Sequence, residues 1–179
     1  AKDRTARETL SATSTPEAPP VSEPVMVATL PPLADWPIWH GNWFDVRYPQ
    51  GFAARAGTVG CVEDERCDGV FFTSPDGKVE FYVFSPLWSG DPSPDLAIDP
   101  STERLVEKKE LVNGQITTRW STIAAKDGSY TRSIADIMNA NYGSTLRHTF
   151  GIKYKDAAAY AGWREAYLAF KESLVQYAD

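Results

Sequence analysis

The sequence predicts an α+β fold, an antiparallel sheet of about six to seven strands packed by a C-terminal amphipathic helix. Three observations carry this. Apolar residues recur at Tyr160, Trp163, Tyr167, Phe170, Leu174 and Tyr177, every third or fourth position, as one stripe of a helix requires. The middle of the chain instead alternates apolar and polar residues over short runs, the two-residue period of half-buried strands. Those runs are separated by turn dipeptides such as Asp76-Gly77, Asn113-Gly114 and Asp127-Gly128.

Residues 1–35 are Pro, Ser, Thr, Glu and Ala with almost no aromatic side chain, too little apolar surface to offset the entropy of ordering. They are expected to form a flexible leader or tether. The texture changes at Trp36, with Trp39, Trp43 and Phe44 close behind, so a single folded domain is expected over 36–179. Within it, Phe44, Val46 and Tyr48 face one way and Asp45 and Arg47 the other, a strand over 42–48 ended by Pro49-Gln50-Gly51. Strands follow over 69–74 and 78–85, joined as a hairpin through Ser74-Pro75-Asp76-Gly77, where Pro fixes one φ and Gly supplies a positive one. The proline-rich stretch 86–100, which holds Trp88, reads as an exposed connection.

Residues 102–112 suit a helix or an edge strand, and the strand is preferred because Asn113-Gly114 is a favoured two-residue hairpin loop leading to a β-rich run over 115–124. Strands over 129–138 and 145–154 complete a meander, the last with Leu146, His148, Phe150 and Ile152 on one face. Asp156 stands where the N-cap of the final helix belongs, its carboxylate able to accept from free first-turn amides. Burying the aromatic stripe is worth on the order of 10 kcal/mol by area, an upper bound because denatured chains already hide part of it.

The formal charge of −6 argues against a nucleic-acid partner, since phosphate binding wants a basic face. No stretch reaches the roughly 18 apolar residues needed to cross a bilayer. The chain begins at Ala1 without Met, consistent with a removed signal peptide or trimmed residues. Cys61 and Cys67 flank the short segment Val62-Glu63-Asp64-Glu65-Arg66 and are expected to form a disulfide, with two free thiols as the alternative. Such a small closed loop would stabilise by roughly 2 kcal/mol in the entropic account. Together with the leader, these features point to a periplasmic or secreted protein, held at the membrane if a further N-terminal segment anchors it.

Two of these segments carry a resemblance. Phe44-Asp45-Val46-Arg47-Tyr48-Pro49-Gln50-Gly51-Phe52 is similar to the opening strand and Tyr-Pro turn of the PsbP-like superfamily, named for an extrinsic subunit of photosystem II. Asp68-Gly69-Val70-Phe71-Phe72-Thr73-Ser74-Pro75 resembles the next strand, and the helix ending near Ser173-Leu174 the closing one. The resemblance spans about Trp43 to Tyr177 and implies an α/β/α sandwich and an assembly or interaction role. It implies no catalytic residues. The leader and the Cys61 to Cys67 loop lie outside its pattern.

No reaction is fixed by motif. Gly-x-Ser-x-Gly and phosphate-loop patterns are absent, and two Cys with distant His40 and His148 do not make a zinc set. The acidic run Glu63-Asp64-Glu65 with Asp68 lacks the spacing of a calcium loop and reads as solvated surface. No metal or cofactor is therefore expected. Trp36, Trp39, Trp43 and Trp88 with His40 are candidates for a binding platform for a sugar ring or a protein partner, or else seal one end of the core. Arg132 with Asp127 and Tyr130 would form a polar rim, or Arg132 and Asp127 a structural ion pair. The expected role is a non-catalytic interaction module for a protein partner in the cell envelope. The alternatives are a carbohydrate or small-ligand binder and, further off, a hydrolase using His40 or His148 as base.

Overall fold

The computed structural model describes residues 31–57, 68–88 and 94–177. Cys61 and Cys67, with the expected disulfide, and residues 1–30 of the leader lie outside them. Two antiparallel sheets and one helix make up the fold. The strands are β1 (Ile38–His40), β2 (Phe44–Arg47), β3 (Ala53–Ala56), β4 (Asp68–Thr73), β5 (Val79–Trp88), β6 (Glu103–Asn113), β7 (Ile116–Ala125), β8 (Thr131–Asn139) and β9 (Leu146–Tyr154). Helix α1 (Ala157–Glu172) and the short β10 (Val175–Gln176) follow. The large sheet has the order β3-β4-β5-β9-β8-β7-β6, and a small sheet the order β1-β2-β10.

The expected strands are present, but that over 42–48 joins the small sheet, and the seventh place in the large one is taken by β3. Ala53, Ala54 and Ala56 of β3 show no alternation, so periodicity does not reveal this strand. The β6–β7 loop is Gly114-Gln115 rather than Asn113-Gly114, because Asn113 pairs with Ile116 and Gly114 takes the positive φ of 60°.

Strands β4, β5 and β9 of the large sheet present one face to the core beneath α1. Val70 and Phe72 of β4, Val79, Phe81 and Val83 of β5, and Phe150 and Ile152 of β9 meet Tyr167 and Phe170 of the helix, with Trp36, Phe44, Val46 and Phe52 closing the end. Phe170 is fully buried, with its ring against Phe72, Phe81 and Phe150. Asp156 caps the helix as expected, accepting from the Ala159 amide at 2.8 Å.

The helix stops at Glu172 although the apolar spacing continues to Tyr177. Sheet pairing competes there and prevails: Val175 and Gln176 pair with Asp45 and Phe44, and the Tyr177 amide donates to the Trp43 carbonyl at 2.9 Å. Ser173 makes the junction, its hydroxyl accepting from the Arg47 amide at 2.9 Å while donating to the Phe170 carbonyl at 2.7 Å. On the face away from α1, the described covering is a 3₁₀ turn over Pro94–Leu96, fastened by Arg132 Nη2 donating to the Ala97 carbonyl at 2.8 Å. No helix among the described residues is long and apolar enough to cross a membrane.

Candidate functional site

Helix α1 lies over β5 and β9 and reaches β2; Ala135 of β8 is still buried on that face, which opens toward β7 and β6, where Trp120 is exposed. The register shows which residues share this face. Lys109, Trp120 and Ala135 stand side by side in one cross-strand row, and Leu111, Thr118 and Ile137 in the next. Between this face and the flank of α1 runs a groove of about 420 Å³, with Trp120, Ala135 and Ile152 from the sheet and Tyr160, Tyr167 and Leu168 from the helix. Its edge carries Lys109, Arg164 and Lys171 against the single carboxylate of Glu107.

These cations differ in their surroundings. Lys109 pairs with Glu107 at 2.8 Å and Arg164 with Glu165 at 2.7 Å, both exposed pairs that contribute little to stability. Lys171 is half-buried, its ammonium 5.0 Å from the centre of the Tyr167 ring, and among the described residues it has no ion-pair partner. Burial, reinforced by the positive charge of Arg164, holds its pKa below the usual lysine range against a weaker opposing pull from Glu172.

Beyond the groove the β6–β7 hairpin continues as apolar surface. Leu105, Val106, Leu111, Val112, Ile116 and Trp120 are all at least 36% exposed and make up more than half of the large exposed hydrophobics among the described residues, with Leu111, Ile116 and Trp120 on the groove side and Leu105 and Val112 on the other face. Contiguous exposure of this kind marks contact surfaces in soluble domains.

A second cleft, of about 380 Å³, opens on the other face of the sheet. The Phe71 and Tyr82 rings lie 4.2 Å apart, tilted by 32°, on its floor, beside Gly151 and Leu96 of the covering turn. Arg55 sits 4.5 Å over Phe71 and Lys153 4.2 Å over Tyr130. Arg132 lies here, buried, and pairs with Glu103 at 2.7 Å rather than with Asp127, which is spent on its own turn, accepting from the Ser129 amide at 2.9 Å. The physical reason is geometry: a turn aspartate bonds two residues on, whereas β6 brings Glu103 over the Arg132 side chain.

The structure gathers Trp36, Trp39, His40 and Trp43 at the small sheet, on the far side of the large sheet from Arg132. Trp36 is buried, its indole donating to the Pro31 carbonyl at 3.0 Å. Trp39 and Trp43 are half-buried, and their indole N–H groups have no partner among the described residues. Trp39 meets the Phe72 ring edge-on at 6.2 Å. Trp88 ends β5 opposite Leu146, and its side chain lies outside the described part.

His40 is exposed, with Nδ1 2.9 Å from an Asp45 oxygen. Asp45 is held below the usual carboxylate range first by the Tyr177 side chain, then by His40. His148 is tucked against Phe150, ring centres 5.3 Å apart, and burial lowers its pKa to about 4, with a bond to Gln176 opposing. His40 meets a carboxylate and His148 an amide, and among the described residues neither imidazole makes the joint hydroxyl and carboxylate contact of a triad base.

Sequence reasoning did not pick out Lys109, Trp120, Arg164 or Lys171. A signal existed: Arg164 and Lys171 are seven residues apart, two turns along one flank beside the Tyr160 and Tyr167 stripe. The uncovered sheet face had none, because it depends on how far the helix reaches across the sheet.

No protein-family model matches the chain, and no curated protein matches it. Among solved structures it is similar to cyanobacterial PsbP (CyanoP) from Synechocystis sp. PCC 6803, at 12% identity over 76% of this chain and 88% of that one, with a TM-score of 0.42. It is also similar to the Saccharomyces cerevisiae Ran-binding protein Mog1p, at 12% identity over 76% of this chain and 90% of that one, with a TM-score of 0.38. The likeness to both is one of fold.

Proposed function

We propose that this chain is a non-catalytic protein-interaction module of the cell envelope, which meets its partner through the uncovered face of β6–β8. The observation that carries the interaction reading is the concentration of exposed Leu111, Ile116 and Trp120 on one face of one hairpin, beside a groove rather than scattered over the surface. The envelope setting is supported by the Pro/Ser/Thr-rich residues 1–30 and by the closely spaced Cys61 and Cys67.

The test is a comparison of parent and the double variant Leu111→Ser, Trp120→Ser as bait in an envelope extract. Both side chains are substantially exposed, so the variant is expected to melt within about 1 kcal/mol of the parent. The expected result is a specific protein held by the parent and lost by the variant. Equal retention by both would overturn the use of this face. Mass spectrometry without reductant on protein from its native compartment is expected to show Cys61 linked to Cys67, and free thiols there would count against export.

A further inference from the structure

We infer that the groove between α1 and β6–β8 receives an acidic segment of the partner, with a carboxylate against Lys171 and an aliphatic or aromatic side chain laid on Trp120. This rests on the interaction reading above and specifies the chemistry of what is bound.

Three cations and one carboxylate line a groove in a chain whose formal charge is −6, so the local sign is opposite to that of the whole. Two cations on one helix flank, Arg164 and Lys171, raise each other's cost, and the half-buried Lys171 is compensated by the face of Tyr167 and a weak pull from Glu172, with no ion pair among the described residues. An incoming carboxylate would meet an ammonium already stripped of part of its water, where a charge-assisted hydrogen bond is strongest. Apart from Ser121, Thr122 and Ser133, the rest of the lining is apolar or aromatic. Trp120, Ala135, Ile152 and Tyr167 offer nothing to a simple anion but suit side chains flanking an Asp or Glu in a peptide. A basic segment would set its charges against Lys109, Arg164 and Lys171 and be rejected.

The full chain, labelled with ¹⁵N, is titrated with a capped hexapeptide of alternating glutamate and leucine, and separately with its lysine–leucine counterpart. The glutamate peptide is expected to shift the Trp120 indole and the amides of Arg164, Tyr167 and Lys171. Its Kd is expected to rise about tenfold in Arg164→Glu and in Lys171→Met, the loss of one charge-assisted contact. Arg164 is exposed, so that variant stays informative should Lys171→Met disturb packing. No shift in the groove with the glutamate peptide, equal binding of the lysine peptide, or unchanged affinity in both variants would overturn the inference. Lysine-peptide binding that shifts Trp120 would leave the interaction face standing and remove only its acidic preference. Retention of the same protein by the Leu111, Trp120 double variant would remove both.

Discussion

Arg132 holds Glu103 through two nitrogens, Nε donating to Oε1 at 2.8 Å and Nη2 to Oε2 at 2.7 Å, while the Tyr130 hydroxyl donates to Oε1 at 2.8 Å. Both charged residues are buried, and the pair ties the start of β6 to β8. Arg132→Leu strands the carboxylate and is expected to cost about 3–5 kcal/mol by urea denaturation, whereas replacing both residues by leucine costs less.

The same pair makes stability depend on acid. Arg132, against the opposing effect of burial, lowers the Glu103 pKa from 4.5 to about 2, so the folded state binds this proton less readily than the unfolded one. Its stabilisation is complete above 4.5 and disappears as pH falls through about 2. Denaturation midpoints measured across that window are expected to decline, and to decline less in Glu103→Gln.

Asp68 has the opposite sign. Burial raises its pKa, outweighing the Trp43 and Asn42 amides that bond to it, so stability falls as pH rises from 3.8 through the raised value. Asp68→Asn keeps an oxygen for the Trp43 amide and should remove that fall. Gly41→Ala is expected to destabilise, because a methyl group there would overlap the Asp68 carboxyl group and the Phe44 carbonyl. A Gly41→Ala protein melting like the parent would contradict this packing.

His148 adds a second acid-sensitive element. Burial depresses it from 6.5 to about 4, so its contribution is intact above 6.5 and is lost as pH falls toward 4. An NMR titration should place its midpoint near 4, and a midpoint at the ordinary value would mean that the ring is solvated.

Phe170→Ala removes a fully buried ring touched by Phe72, Phe81, Phe150 and Tyr167 and is expected to cost about 3–5 kcal/mol. Trp163 is half-buried, edge-on to Phe52 at 4.8 Å, and Trp163→Ala should cost about 2–3 kcal/mol. The two midpoints, measured in the same denaturant, check the ordering.

Apart from β3, the large-sheet strands and the helix were legible because their signals are local: the β-branched and aromatic run in 69–74, alternation in 145–154, glycine at Gly77 and Gly128, and an aspartate before the helix. Gly77 and Gly128 do take positive φ, 68° and 75°. The small sheet was not legible. Strands of two to four residues such as β1 and β10 are too short to display a period, and their existence depends on β2 being reached from both sides. The groove was illegible for a related reason, since Trp120 and Lys171 are distant in sequence and meet only through the docking of α1.

One consequence follows from the irregular pairing near the start of β6, where Val106 has no counterpart between the Leu105–Ile123 and Glu107–Thr122 pairs. Such a kink, together with Lys108, Lys109, Glu107 and Glu110, spoils the outer border of the sheet as a template for adding further strands. The greasy side chains of this hairpin are therefore open to solvent without the border offering a ready edge for growth into filaments.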